Sequence, residues 1–140
     1  MSRPSLEDRI AVSDAIHLFY RLVDSGRASH TADLFTDDAR LIFGPGSPKP
    51  GTISGPEIRD AMIAREALTS AFTRHVAANI IFGEAGGGIT ADYILTLYRS
   101  DDETRSSVPA IVADVAEIWH RHDNAWRMSE RTILPAFSRP

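Results

Sequence analysis

Apolar residues recur at helical spacing through the first part of the chain. Over residues 5–25, positions three and four apart fall on one broad apolar arc at roughly 100° per residue. Ser5 is typical of a helix start and Gly26 of a helix end. The pattern therefore predicts a long amphipathic helix, with Tyr20 and then Asp24 at the edge of its apolar arc.

Three shorter elements follow before the periodicity changes. The sequence predicts a short helix at about residues 28–35, a strand at about 40–43 and a helix at about 54–68 with Pro56 near its first turn. Between the strand and the last helix, residues 44–51 alternate glycine and proline too densely for a regular element. We expect this segment to form a loop beside the mouth of a pocket, where it would act as a lid.

From Phe72 onward, apolar and polar residues alternate as they do in strands. Four strands are predicted, at about residues 74–82, 89–99, 109–122 and 125–133. Their connections are a triple glycine at 86–88, a polar segment at 100–107 and a tight turn at Asp123 and Asn124. Short connections indicate an antiparallel meander. Helices that precede such a meander predict an α+β domain rather than alternating βαβ units.

Length and composition are those of one globular domain. The chain has 140 residues, of which 43% are hydrophobic and 24% charged, so we expect a single domain over residues 1–140 with an ordered core at about 5–134. A net charge of −4 without a cluster of basic residues argues against a nucleic-acid partner. No apolar run is long enough for a membrane span, and the start Met1-Ser2-Arg3-Pro4 leads into charged residues rather than a signal core. A cytoplasmic protein without a membrane partner is expected.

Several kinds of catalytic site are disfavoured by what the sequence lacks. Without cysteine there is no thiolate cage or cysteine nucleophile, and no Gly-x-Ser-x-Gly motif is present. A strand follows the triple glycine, so this is not a phosphate-binding loop. His120 and His122 share a strand face, but no third ligand accompanies them at metal-site spacing. We therefore expect neither a metal nor another cofactor, and any catalysis would come from His, Asp, Glu, Tyr or Ser.

Asp24 and His75 form the most informative candidate pair. An imidazole is suited to proton transfer at neutral pH, and a nearby carboxylate fixes its tautomer and stabilises its charged form. Tyr20 lies one helical turn before Asp24, so both project from one helix face, and its hydroxyl could donate a proton to a substrate oxygen. The alternative is structural: Asp24 caps the chain reversal at Gly26, His75 packs within a strand, and Tyr20 is a core-edge aromatic.

Two residues of the first two long strands are candidates for ligand binding. Asn79 follows His75 by four residues, which on a regular strand places both on one face, where the amide could orient a ligand carbonyl or make a structural hydrogen bond. Tyr93 and Tyr98 are five residues apart and lie on opposite faces, so at most one can enter a cavity. We expect that residue to be Tyr93.

Glu117 on the third long strand is a further candidate. Its carboxylate could line the pocket as a second acidic group. The alternative is a cross-strand ion pair with Arg127 or Arg131, which lie on the partner strand across the final hairpin. The second interpretation is the one we favour.

Four short motifs are spread over nearly the whole chain. They are FYRLVDSG at 19–26, DLFTDDA at 33–39, TRHVAAN at 73–79 and WRMSER at 126–131. Together with the order of the elements, they resemble the SnoaL-like branch of the nuclear-transport-factor-two-like superfamily. The resemblance implies a cone-shaped α+β fold, in which a strongly curved, mainly antiparallel sheet and three N-terminal helices enclose an apolar pocket.

The resemblance also implies a function. Asp24 and His75 match positions that scytalone-dehydratase-like members use as a carboxylate-oriented histidine. This implies a cofactor-independent acid-base lyase or isomerase acting on a small hydrophobic, oxygenated molecule of polyketide-like, aromatic or alicyclic type. Residues 110–115, where such dehydratases carry a second pocket histidine, contain none. The alternative is a non-catalytic ligand-binding or assembly module, including a small-subunit role beside an oxygenase.

A closed cavity lined by Asp24 and His75 would favour the enzyme, whereas a cone filled with side chains would favour the module. A separate expectation concerns assembly. Strand residues 89–97 and 111–119 are apolar on both faces, and helices on one side cannot cover both. The uncovered face and the resemblance predict a homodimer that packs sheet on sheet.

Overall fold

One six-stranded sheet and three helices make up the computed structural model, which describes residues 3–140. Met1 and Ser2, part of the start from which no signal peptide was expected, lie outside the described residues. In chain order the elements are helix α1 (Leu6–Asp24), a 3₁₀-helix (Ala28–Leu34), strands β1 (Phe35–Phe43) and β2 (Gly51–Ser54), helix α2 (Pro56–Ala67), and strands β3 (Phe72–Ala85), β4 (Gly88–Ser100), β5 (Ile111–His122) and β6 (Ala125–Ser138).

The strands lie in the order β2-β1-β6-β5-β4-β3. The last four form the expected antiparallel meander, and the α+β, mainly antiparallel fold class is confirmed. Two strands extend it at the far side: β1 pairs in parallel with β6, and β2 pairs antiparallel with β1. The sheet stays open, with β3 as one edge strand, because no strand pairs with the other side of β3 within the described part of the chain.

Helix α1 has the predicted bounds to within one residue at each end. The hydroxyl of Ser5 accepts the backbone N–H of Asp8 at 3.1 Å, and Gly26 takes a φ of 81° just beyond the helix, a conformation that favours glycine. The apolar arc of α1 packs against the sheet, and the core between them includes the fully buried Trp119 of β5 and Met128 of β6. Among the described residues, no helix combines the length and hydropathy that a membrane crossing needs.

The segment at residues 44–51, which was expected to form a lid, lies away from His75. The backbone N–H of Gly44 donates to the carbonyl of Ile133 at 2.8 Å, and the end of the segment is already strand β2, paired with β1. Because β1 runs beside β6, the loop is carried to one side of the sheet, whereas β3 with His75 forms the opposite edge. The expectation that this loop borders the pocket is therefore wrong.

Two glycines allow a matched test of the packing at the sheet. A Cβ on Gly88 would lie 2.7 Å from the backbone oxygen of Trp119, which cannot move without disturbing β5. We expect Gly88→Ala to lower the free energy of unfolding by about 1–3 kcal/mol in urea titrations. Gly83→Ala is the control, because its Cβ would approach only the Thr90 hydroxyl oxygen, at 2.9 Å, and that side chain can rotate away. Equal losses in the two variants would contradict this packing.

Candidate functional site

A cleft of about 860 Å³ opens between the C-terminal half of α1 and the edge strand β3. It is lined by His17, Tyr20, Arg21, Asp24, Ser25, Arg74, His75, Val76, Ala77 and Tyr98. The helix residues lie three or four positions apart and therefore share one face of α1. The cleft is open to solvent and carries several charged side chains, unlike the closed apolar cavity that was expected of an enzyme.

Asp24 and His75 meet in this cleft. The Asp24 Oδ1 lies 2.6 Å from the His75 Nδ1, and the side chains are only 11% and 14% exposed. Asp24 is the last residue of α1, and its other oxygen, Oδ2, accepts the backbone N–H of His75 at 2.8 Å. An ionised carboxylate can only accept hydrogen bonds, so the Nδ1 of His75 carries the proton. The Nε2 is left as the ring nitrogen that can exchange a proton with a ligand.

Hydrogen bonds keep Asp24 ionised. Partial burial opposes the charged form, but the bonds from His75 and from the Thr73 hydroxyl outweigh it and hold the pKa of the Asp24 carboxyl below its ordinary value. The carboxylate is therefore charged at neutral pH, the form that orients the imidazole and stabilises a protonated ring.

Thr73 and Arg65 support the pair from behind, and the sequence analysis missed both. The Thr73 hydroxyl donates to the Asp24 Oδ1 at 2.8 Å, and the Arg65 Nη2 donates to the same hydroxyl at 2.9 Å. Because Arg65 uses the oxygen as an acceptor, the proton of the hydroxyl is directed to Asp24. A signal for Thr73 was available, since it precedes His75 by two residues on one strand face. Arg65 on α2 had none.

Tyr20 faces the pair with its ring and not with its hydroxyl. Its ring stacks on the His75 imidazole, with centroids 4.9 Å apart and 23° between the planes. The hydroxyl is bonded to that of Tyr93 at 2.6 Å, inside the protein. Burial raises the pKa of Tyr20 to about 12. The geometry thus makes Tyr20 a surface on which the imidazole rests, in place of the expected proton donor.

Glu117 and Tyr93 belong to a buried polar network below the cleft. The Tyr93 hydroxyl donates to the Glu117 Oε2, the Trp119 indole N–H donates to Oε1 at 2.9 Å, and the Arg131 Nε donates to Oε2 at 2.6 Å. Glu117 is 1% and Arg131 2% exposed. Glu117 lies opposite Arg131 in the β5–β6 register, so it forms the cross-strand ion pair that we favoured from the sequence over a place in the pocket. Neither Glu117 nor Tyr93 lines the cleft.

Burial and charge act in opposite directions on this network. Burial disfavours the guanidinium of Arg131, but the adjacent Glu117 carboxylate raises the pKa of Arg131 above its ordinary value. Burial also raises the pKa of Tyr93 well above that of a free tyrosine. The guanidinium lies 4.0 Å above the centre of the Phe19 ring. The space behind Tyr20 is thus occupied by paired charges and aromatic rings.

Asn79 was expected in the cleft and lies outside it, whereas Tyr98 was expected outside the cleft and lines it. The β3–β4 register shifts between Ala78 and Ile81, and Asn79 takes a φ of 57°. This bulge breaks the alternation that would have kept Asn79 beside His75, and Asn79 lines a separate groove with Ile94 and other residues of the outer sheet face. Tyr98 lines the cleft although Tyr93 was favoured, because a cleft at an edge strand is reached from both faces.

Of the other four histidines in the chain, His17 lines the cleft and the remaining three lie away from it. His120 and His122 lie at the far end of β5 beside the hairpin, and His30 is in the 3₁₀-helix. Within residues 3–140, no three His, Cys, Asp or Glu side chains come together in a way that could hold a metal ion.

Comparisons with known proteins place the fold in a family. The model of the SnoaL-like domain matches residues 4–132, and the chain therefore belongs to the SnoaL-like domain family. No curated protein sequence matches the chain significantly.

Solved structures share the fold at low sequence identity. Aln2 from a Streptomyces species is 19% identical, with 96% of this chain and 94% of that chain covered and a TM-score of 0.77. A candidate scytalone dehydratase from Novosphingobium aromaticivorans is 13% identical, with 96% and 87% covered and a TM-score of 0.77. The β subunit of a candidate aromatic-ring-hydroxylating dioxygenase from the same organism is 16% identical, with 92% and 89% covered and a TM-score of 0.76. At these identities the likeness shows the fold alone.

Breaking the buried Glu117–Arg131 ion pair should lower the stability of the protein. Arg131→Met leaves the Glu117 carboxylate buried without its cation, and we expect the free energy of unfolding to fall by about 3–5 kcal/mol. Arg40→Met is the matched control, because the Arg40–Glu130 pair is 3.9 Å long and largely exposed, so its loss should cost about 1 kcal/mol or less. Urea unfolding of both variants measures the difference. A loss in Arg131→Met no larger than in the control would contradict the assigned pairing.

Proposed function

We propose that this protein is an acid-base lyase or isomerase that acts through His75, oriented by Asp24. The substrate is a small oxygenated organic molecule of aromatic, alicyclic or polyketide-like type. The observation that carries the proposal is the 2.6 Å contact between the Asp24 Oδ1 and the His75 Nδ1 within the cleft. The reaction needs no cofactor in this scheme, because both proton transfers use the same ring nitrogen.

The proposed chemistry begins with a carbon acid. The unprotonated Nε2 of His75 removes a proton from a carbon next to a carbonyl group, and the resulting imidazolium is stabilised by the Asp24 carboxylate. In a dehydration, the same nitrogen then returns the proton to a departing hydroxyl, so that water leaves and a double bond forms. In an isomerisation, the proton returns to another carbon and nothing leaves. Tyr20 holds the plane of the imidazole throughout.

The family supports this proposal in outline. SnoaL-like membership is consistent with small-molecule chemistry in a pocket between helix and sheet, and a candidate scytalone dehydratase shares the fold. The interior positions of β5 are occupied by Ala113, Val115, Glu117 and Trp119. A second pocket histidine on this strand is therefore absent, so we favour a single-histidine isomerisation or cyclisation over dehydration.

A second candidate function has its own support. The volume behind Tyr20 is filled by the Tyr93–Glu117–Arg131 network, as expected of a module without catalysis, and a dioxygenase-type β subunit shares the fold. A non-catalytic ligand-binding or assembly module, including a small subunit beside an oxygenase, is therefore the alternative. It differs from the first proposal in requiring no proton transfer by His75.

Replacing Asp24 tests the acid-base proposal. In Asp24→Asn, the amide can donate to the Nδ1 of His75, which would move the ring proton to Nε2 and remove the base. We expect nitrogen NMR shifts of His75 to report this change of tautomer. Turnover of a ketone or alcohol found by a thermal-shift screen should fall about a hundredfold to ten-thousandfold. Asp14→Asn, an exposed change on the same helix, should alter neither.

Combining Asp24→Asn with His75→Gln tests whether the two side chains act together. His75→Gln should reduce turnover as much as Asp24→Asn, and the combination should add little, because the two side chains act as one unit. Thr73 and the His75 backbone are bonded to Asp24 as well, so urea unfolding of each variant is needed to separate lost activity from lost structure. Turnover at the wild-type level in folded His75→Gln would exclude the mechanism and favour the non-catalytic module.

We also propose that the protein is a homodimer formed through its outer sheet face. The cross-strand registers place five exposed apolar side chains on the face away from α1: Val76, Ile81, Ile94, Leu134 and Phe137, which are 37–73% exposed. A patch of this kind on a soluble domain is typical of an interface. A two-fold axis would bring identical faces together and cover it.

Sedimentation of the wild type and of two lysine variants tests the dimer. We expect twice the 15.4 kDa chain mass at micromolar concentration, and a monomer for Ile94→Lys, because a charge would be buried at the interface. Ile10→Lys is the control, since Ile10 is 53% exposed on α1 and should leave the dimer intact. A wild-type protein that sediments as a monomer would show the proposal to be wrong.

A further inference from the structure

The charges around the cleft indicate what kind of molecule it accepts. We infer that Arg21 and Arg74 form a carboxylate-binding site on the two walls of the cleft, so that the substrate is an organic acid. The inference rests on the proposed function, because it names the substrate class of the same cleft. It adds an acid group to the small hydrophobic, oxygenated molecule expected from the sequence.

The lining of the cleft contains a single carboxylate, and that carboxylate is engaged. Asp24 accepts three hydrogen bonds, one from the Thr73 hydroxyl and two from the ring and backbone of His75. The other ionisable lining residues are two arginines, two histidines and two tyrosines, none of which is an acid that becomes negatively charged near neutral pH. In a chain whose net charge is −4, this is a local excess of positive charge that no acidic lining residue balances.

Arg21 has its guanidinium free. Asp24 follows it by three residues on α1, a spacing at which helical ion pairs commonly form, yet the Asp24 carboxylate is directed toward β3 instead. Among the described residues, the side chain of Arg21 has no hydrogen-bond or ion-pair partner. A cation that lines a cleft without a partner is available to an anionic ligand.

Arg74 is held in place on the opposite wall. Its Nη1 donates to the carbonyl of Thr73 at 2.7 Å, and its guanidinium lies 4.4 Å from the centre of the Phe72 ring. The Phe72 ring also packs against the guanidinium of Arg105, at 3.6 Å. Such stacking orders a guanidinium before a ligand arrives and leaves its other N–H groups for a planar acceptor such as a carboxylate.

A carboxylate fits this site better than a phosphate. The cleft faces the C-terminal end of α1, where Ser25 is the capping residue, and the end of a helix carries roughly half a negative charge. That partial charge penalises a dianion more than a monoanion. The binding loops typical of phosphate sites place helix N-termini against the anion, and the helix residues of this cleft all come from the other end of α1.

The rest of the lining suits an uncharged body attached to the acid group. Ala77 on β3 and the ring of Tyr98 on β4 supply apolar surface beside the two arginines. A ring or short chain can lie on that surface while its carboxylate binds the guanidinium groups. The acid group would then fix which part of the molecule reaches His75.

Benzoate and benzamide provide a matched pair of probes, alike in shape and differing in charge. We expect benzoate to bind at millimolar concentration or tighter by NMR titration, with shifts at His75 and Tyr98, and to bind at least about tenfold more tightly than benzamide. Arg21→Gln and Arg74→Gln should each weaken benzoate about tenfold and leave benzamide unchanged. Arg121→Gln, which removes the same charge from an exposed position at the far end of β5, is the control and should change neither affinity.

Several outcomes would overturn the inference. They are equal affinities for the two probes, no benzoate binding at millimolar concentration, the same weakening of benzoate in Arg121→Gln, or inorganic phosphate displacing benzoate at lower concentration than acetate does. Correct folding of each variant is checked by its amide spectrum, and Arg→Lys changes at both positions should keep part of the affinity, since charge remains without the planar fork.

Failure of this inference can be told apart from failure of the proposed function. If His75→Gln binds benzoate as the wild type does while the two arginine variants do not, the anion site is supported whether or not His75 catalyses a reaction. If the arginine variants bind benzoate as tightly as the wild type does while His75→Gln loses turnover of a neutral ketone or alcohol, the anion site is refuted and the role of His75 stands.

Discussion

The carboxylate of Asp24 joins the end of α1 to the edge strand, and the geometry of the cleft depends on it. A negative charge at the C-terminal end of a helix is unfavourable, because the last carbonyl groups already carry partial negative charge. Three hydrogen bonds from β3 offset that cost. The same bonds fix the distance between helix and strand, the orientation of the imidazole and the position of Arg21 one turn earlier. One side chain therefore both joins the helix to the strand and orients the imidazole.

Periodicity predicted most of the secondary structure, and long-range pairing accounts for what it missed. The bounds of α1 follow from an apolar arc and two capping residues, and the meander follows from alternation with short connections. The parallel pairing of Leu41 with Arg131 has no local signal. The strand β2 follows a segment of glycines and prolines and exists because β1 offers it an edge. The β3 bulge at Asn79 likewise depends on its pairing with β4.

The candidate site was predicted in part for the same reason. A helix-edge acid and a strand histidine indicated the Asp24–His75 pair, because residue type and spacing define such a pair. The direction of a long side chain is decided by its tertiary neighbours, so the burial of the Tyr20 hydroxyl against Tyr93 could not be read from the chain. Arg65 reaches the site through Thr73 from another helix, and a sequence pattern contains no trace of that contact.

The position of the pair on an edge strand has a consequence for association between chains. Backbone N–H groups on an open sheet edge are free to pair with a strand of another molecule, which is a common route to aggregation. In this protein, the N–H of His75 is bonded to the carboxylate of Asp24, and the neighbouring Arg74 puts a charge on the same strand. The helix end thus takes the place that an incoming strand would occupy. The residues proposed for proton transfer thus also block strand pairing at this point of the sheet edge.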